Sequence, residues 1–165
     1  MSGGGGLHAK EIDCLVSRHL IGVRWLGVFA RDELPDVTSE IRPWCLILNT
    51  DPKDQPGTHW LALYAPKAGF IELFDSFNFS PITYSLESLH ILHLGFPLQS
   101  ISTSVCGYYC IVYIYLRSRN KSINELIICF WIFQIATPTS NGIFIIFKTS
   151  FASSNRVTVL VNVVN

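Results

Sequence analysis

The 165 residues suit one domain with a sizeable core: 49% are hydrophobic and 13% aromatic, which excludes a disordered chain. Twelve basic residues balance twelve acidic ones. The excess of Lys and Arg that binding to nucleic acid or an anionic membrane would need is missing, and neither is expected as a partner.

In chain order, residues 1–8 read as a flexible glycine-rich tail. Ile12, Leu15, Val16 and Leu20 recur at helical spacing and predict an amphipathic helix over 9–20. Residues 27–35 predict a short strand or turn closed by Pro35. The apolar run 44–48, between Pro43 and the Asp51-Pro52 turn, predicts a buried strand. A polar loop over 51–58 leads into a strand over 60–64, a turn at 66–69 and a strand over 70–74. These last two strands predict a hairpin that brings His59, entering it, close to Asp75, leaving it.

Further on, Leu86, Leu89 and His90 at helical spacing, with Ser85 as a cap, predict a helix within 81–93. Residues 96–102 read as extended. Residues 104–117 are apolar almost all round, which predicts a helix buried at the centre of the domain. Arg117, Arg119 and Lys121 follow it and read as a solvated helix end with cations near the C-terminal dipole. Another helix is expected over 122–133, a turn over 137–142, and β-prone apolar runs over 143–147 and 157–164. Three parts result: the tail 1–8, a domain over 9–125, and an atypical apolar segment over 126–165 that reads as a truncated or aberrant end of that domain. The stretch 126–136 is interrupted by Gln134 and is shorter than the roughly 20 residues needed to span a bilayer, so no membrane partner is expected.

The five cysteines are odd in number, form no Cys-x-x-Cys pair and follow no secretory signal pattern. They predict a reducing, intracellular setting, with nucleus and cytoplasm undistinguished. Cys106 differs from the others in opening a helix. Unpaired N–H groups and the helix dipole favour a negative sulfur there, and Ser104 is placed to cap the helix. Gly107 leaves room beside the sulfur for a substrate backbone. Cys14, Cys45, Cys110 and Cys129 read as small core hydrophobes.

His59, at a loop–strand junction, suits a general base, and Trp60 would wall the cleft beside it. Asp75 would accept from the imidazole and fix its tautomer. Glu72, its nearest competitor, is offset by an odd number and points to the other face of the strand. Gln99, seven positions before Cys106, would donate its amide to an oxyanion together with the Cys106 N–H. His90 and His93 sit three apart, too few ligands for a metal. Each of the four residues alone is weak; in the order His59, Asp75, Gln99, Cys106 they make one thiol-hydrolase set.

The segments Gly27-Val-Phe-Ala-Arg-Asp-Glu-Leu-Pro35, Gly57-Thr-His-Trp60, Phe74-Asp-Ser-Phe77 and Gln99-x6-Cys106-Gly107-Tyr-Tyr-Cys110 resemble the adenovirus-type (adenain-like) cysteine proteases. In particular they resemble those of large self-synthesising DNA transposons and related viruses, and more distantly the SUMO and ubiquitin-like-protein proteases. The resemblance covers about residues 25–120. It implies an α+β fold of the papain-like kind, a mixed sheet packed on a central helix that carries the nucleophile. It also implies Cys106 as nucleophile, His59 as base, Asp75 as its acidic partner and Gln99 as oxyanion donor. The activity implied is that of an endopeptidase acting on viral or transposon precursor proteins at glycine-containing sites, and a monomer is expected. A deconjugase of SUMO-like proteins and an inactive protein-binding remnant are the alternatives. The segment after about residue 130 departs from the family's usual ending. The peptide and DNA activators of adenovirus protease are not carried over, and no cofactor or metal is expected.

Overall fold

The computed structural model describes residues 6–94, 97–100, 102–136, 143–146 and 160–163, and beyond residue 130 it describes the backbone. The chain divides into two compact units, Met1–Lys121 and Ser122–Asn165.

The first unit is α+β, as expected. Its strands are β1 (Arg24–Phe29), β2 (Trp44–Asn49), β3 (Trp60–Ala65), β4 (Ile71–Phe74) and β5 (Ile91–His93), and its helices α1 (Ala9–Ser17) and α2 (Cys106–Arg117). The strands form one mixed sheet in the order β1-β2-β3-β4-β5. The outer pairs, β1 with β2 and β4 with β5, are parallel; the inner pairs are antiparallel.

Every residue of β2 is buried, which is what its unbroken apolar run requires of a strand covered on both faces. Trp44, Leu46 and Leu48 of β2 join Leu61, Leu63 and Ala65 of β3 and Ile71 and Leu73 of β4 in one core, closed by Val37, Tyr84 and Leu86. On the other face, the ring of Phe74 stacks on Tyr113 of α2 at 4.6 Å, and the Cys110 thiol donates to the Trp60 carbonyl at 3.2 Å. Helix α2 is therefore the buried central helix its composition predicts; ten of its residues are buried. Helix α1 is shorter than the 9–20 expected. Glu11 accepts from the His8 N–H at its start, and Asp13 accepts from the Trp25 indole of β1 at 2.8 Å.

Three expectations change. The 27–35 strand or turn is instead the end of β1, with Gly27 at a bulge (φ +126°) in its register with β2, followed by a 3-10 turn at Arg31–Glu33. The helix expected within 81–93 is a 3-10 turn, Pro81–Tyr84, stopped by Ser85 in the left-handed region (φ +57°), and then β5. Three apolar positions at helical spacing promise little helix, whereas pairing Ile91 with Ile71 and His93 with Leu73 satisfies the open edge of β4. The cluster at the end of α2 is not a solvated basic surface: Arg117 lies inside, donating to both oxygens of Glu72 at 2.6 and 2.7 Å. Arg119 stacks over Tyr115, its guanidinium carbon 3.5 Å from the ring centroid.

The second unit holds α3 (Ile123–Ala136) and the antiparallel pair β6 (Ile143–Ile146) and β7 (Leu160–Val163). Ser122 and Glu125 cap α3 reciprocally: Ser122 N–H donates to the Glu125 carboxylate at 2.8 Å, and Glu125 N–H to Ser122 Oγ at 3.3 Å. Strand pairs fall within both β-prone runs; the turn expected at 137–142, and Phe96 and Ile101 of the extended 96–102 segment, lie outside the described residues. Among the described residues no helix is long and apolar enough to cross a membrane.

Candidate active site

Strand β3 and the turn after β4 bring His59 to Asp75. Register pairs Ala62 with Phe74, so His59, three residues before Ala62, reaches the chain just beyond the end of β4. The loop before His59 is packed tightly: Gly57 has φ +80°, and a Cβ there would come within 2.5 Å of the Asn49 side chain. Only glycine fits both demands. The His59 carbonyl accepts from Thr50 N–H at 3.0 Å, which continues the β2–β3 pairing to the site.

The His59 Nε2 lies 2.7 Å from Asp75 Oδ1. An ionised carboxylate only accepts, so Nε2 carries the proton and Nδ1 is the ring's other face to the site. Asp75 is almost fully buried and is saturated with donors: Phe77 N–H on the same oxygen at 2.8 Å, and Phe79 N–H at 2.8 Å and the Tyr84 hydroxyl at 2.7 Å on Oδ2. Burial alone would raise its pKa; the bonds from His59, Tyr84 and Phe77 overcome that and hold it below the usual value. The Phe77 ring stacks on the imidazole, centroids 4.2 Å apart.

Cys106 is the first residue of α2, so its N–H and that of Gly107 have no acceptor within the helix. Val105 stands at the cap position and supplies no side-chain bond; Ser104 is one residue too early, which corrects the capping expectation. The Cys106 side chain is near enough to His59 to act on the imidazole's charge. Burial works to lower the imidazole's pKa, but hydrogen bonding with Asp75 and interaction with Cys106 reverse this and raise it to about 9. Among the described residues, no hydrogen bond of ordinary length and angle reaches the buried Nδ1.

Two other thiols are fully buried in the core. Cys45 is pushed up to about 12 by burial. Cys110, fully buried, is raised well above the ordinary value, first by burial and then by charge on Cys106 and Asp75. Both are neutral thiols at physiological pH, in line with their reading as core residues.

Gln99 lies in the segment before α2. Its Nε2 donates to Thr103 O at 2.7 Å, and its Oε1 accepts from Ser76 Oγ at 2.8 Å. The structure thus joins His59 to Asp75, with Cys106 near enough to act on the imidazole's charge, and joins Gln99 to the neighbour of Asp75 and to the approach to Cys106. Gly107 does not open space beside the sulfur: a Cβ there would meet Trp60 at 3.3 Å and Ile12 and Leu7 at 3.4 Å, so the glycine lets α2 pack closely. Trp60 accordingly packs at the base of α2, its indole donating to Leu7 O at 3.1 Å. Glu72 points to the helix side, as its offset predicts, and holds Arg117 and the Tyr113 hydroxyl. His93 lies in β5, so His90 and His93 do not share a helix face.

Tyr84 and Ser76 were not among the candidate residues. Tyr84 lay in a stretch whose spacing suggested helix, and nothing local to a serine after an aspartate signals that it holds a glutamine further along the chain.

A cysteine at a helix N-terminus beside an aspartate-bound imidazole is the equipment of thiol chemistry. The chain is similar to proteases of adenoviruses. With the protease of bovine adenovirus 7 it is 23% identical over 137 residues, covering 71% of this chain and 67% of the relative. With the protease of human adenovirus A serotype 12 it is 36% identical over 76 residues, covering 46% of this chain and 36% of the relative. The chain therefore spans about two thirds of the length of the first and about a third of the second. The resemblance read from the motifs to adenovirus-type proteases is borne out by both. No protein-family model matches the chain.

Proposed function

We propose that this chain is a cysteine endopeptidase of the adenovirus type, with a papain-like arrangement of sheet and central helix. The observation that carries the reading is the 2.7 Å bond between His59 Nε2 and Asp75, with Cys106 at the start of α2 near enough to act on the imidazole's charge. Both relatives are named proteases, which supports a peptidase and a protein or peptide substrate.

In this reading the His59–Asp75 pair keeps the transferred proton on the imidazole, leaving Cys106 as thiolate. The sulfur attacks the scissile carbonyl carbon, and the carbonyl π electrons move to oxygen. The Cys106 N–H and one Gln99 amide hydrogen donate to that oxyanion. As the tetrahedral species collapses, the C–N bond breaks and His59 gives its proton to the leaving amine. Water then attacks the thioester carbon, its proton passing to His59; the C–S bond breaks, which releases the acid and restores the Cys106 thiolate. Asp75 stays ionised and keeps the ring oriented. Substrates are precursor proteins cut at glycine-containing sites.

The test is labelling with a thiol-reactive peptide probe and cleavage of a glycine-containing peptide library. Both should be lost in Cys106→Ala, and cleavage should drop by a factor on the order of 10^3 or more in His59→Ala. Labelling of Cys106→Ala as fast as the parent would sink the assignment. Cleavage of SUMO- or ubiquitin-derived substrates without peptide cleavage would replace endopeptidase by deconjugase.

A further inference from the structure

We propose that Ser76 is a positioning residue that sets the rotation of the Gln99 amide, so that an N–H rather than the carbonyl oxygen faces the oxyanion. This rests on the reading of Gln99 as oxyanion donor.

An amide group is nearly symmetric in shape, and its two ends are opposite in charge. Something must therefore choose which end points where. Thr103 O can only accept, so it selects the NH2 end of Gln99, at 2.7 Å. The carbonyl end then needs a donor, and the Ser76 hydroxyl is that donor, at 2.8 Å. The two bonds together fix the amide plane. They occupy the carbonyl oxygen and one amide hydrogen, and leave the second hydrogen for substrate.

Ser76 is built for this. It is completely buried, so its hydroxyl is not competed for by solvent. Its own carbonyl accepts from both Leu98 N–H at 2.9 Å and Gln99 N–H at 3.0 Å, so it holds the backbone of Gln99 as well as the side chain. It also directly follows Asp75, whose carboxylate is fixed by bonds from Phe77 and Phe79 on the same turn. One short turn thereby sets the positions of both the histidine's acid and the glutamine's amide. Removing the hydroxyl leaves the Gln99 oxygen without its donor and frees the amide to turn its negative end toward the developing charge.

The experiment measures peptide cleavage in Ser76→Ala, Gln99→Ala and the double variant, alongside alkylation of Cys106 by iodoacetamide, which forms no oxyanion. Ser76→Ala should lower kcat roughly tenfold with KM little changed, since the bond matters most in the transition state. Gln99→Ala should cost on the order of 10^2. The double variant should be no worse than Gln99→Ala alone, the signature of one residue acting through another. Alkylation should proceed at the parent rate in Ser76→Ala. Should Ser76→Ala not fold, Ser76→Cys, similar in volume with a weaker donor, should show the same pattern at smaller size. An unchanged kcat, an additive loss in the double variant or slowed alkylation would overturn the inference while leaving the peptidase reading intact. A parent with no Cys106-dependent cleavage would overturn both.

Discussion

Two buried carboxylates lie three residues apart, at opposite faces of the same chain segment, and they are dressed almost alike. Glu72 binds a cation, Arg117, and a phenol, Tyr113 at 2.6 Å; Asp75 binds an imidazole, His59, and a phenol, Tyr84 at 2.7 Å. Arg117 and Glu72 are both largely withdrawn from water. The difference is in the cation. Burial opposes the charge on Arg117, yet Glu72 holds its pKa above even the usual guanidinium value, so that proton never leaves. His59 is raised only to about 9, so its proton can be moved, and among the described residues no hydrogen bond anchors its other nitrogen. The same carboxylate–phenol frame braces sheet and helix in one place and, in the function proposed above, handles a proton in the other.

The sharpest way to break this comparison is to neutralise each acid. Asp75→Asn should lower peptide cleavage by a factor on the order of 10^4, because the amide favours the wrong tautomer of His59. Glu72→Gln should leave kcat/KM little changed while lowering the melting temperature. Equal catalytic losses would mean that both acids act only through the fold. Next in size, Arg117→Ala strands Glu72 in the interior, and denaturant titration should show a loss of about 3–5 kcal/mol.

Acidity separates the two sites further. The imidazole ordinarily titrates at 6.5 and here at about 9, so between those values the folded chain holds a proton that the unfolded chain has released. Its contribution to stability is complete below about pH 6.5 and is lost as pH rises through about 9. Cleavage should fall over the same upper limb as the leaving amine loses its proton donor. Asp75, held low, contributes in the opposite sense: its share is present above the ordinary value of 3.8 and is lost as pH falls through its lowered pKa. Melting curves from pH 6 to 10 should show the alkaline decline in the parent and its shift to lower pH in Asp75→Asn. An unshifted decline would assign the transition to another group.

The smallest expected effects are those of the phenols. Tyr84→Phe and Tyr113→Phe each remove one donor from a buried carboxylate and should cost about 1–3 kcal/mol by denaturant titration. Only Tyr84→Phe should also move the pH profile of cleavage, since only its carboxylate touches a titrating partner.

The sequence by itself carried the elements whose signal is local. The unbroken apolar run of β2, the all-round apolar α2 and the β3–β4 hairpin follow from side-chain pattern, and the hairpin alone was enough to bring His59 to Asp75. Residue type and order singled out Cys106 and Gln99, and short motifs around them resemble those of adenovirus-type proteases. Tertiary structure decided whatever depended on a partner distant along the chain. Residues 85–93 carry a weak helical pattern, and the open edge of β4 turned part of them into a strand. Arg117 looked like a solvent cation until Glu72 of β4, forty-five positions away, drew it inside. Ser76 and Tyr84 have meaning only through the Gln99 and Asp75 they touch. Periodicity reports which face of an element is apolar, but a buried polar group is stable only where a matching donor or acceptor meets it, and that meeting is set by packing.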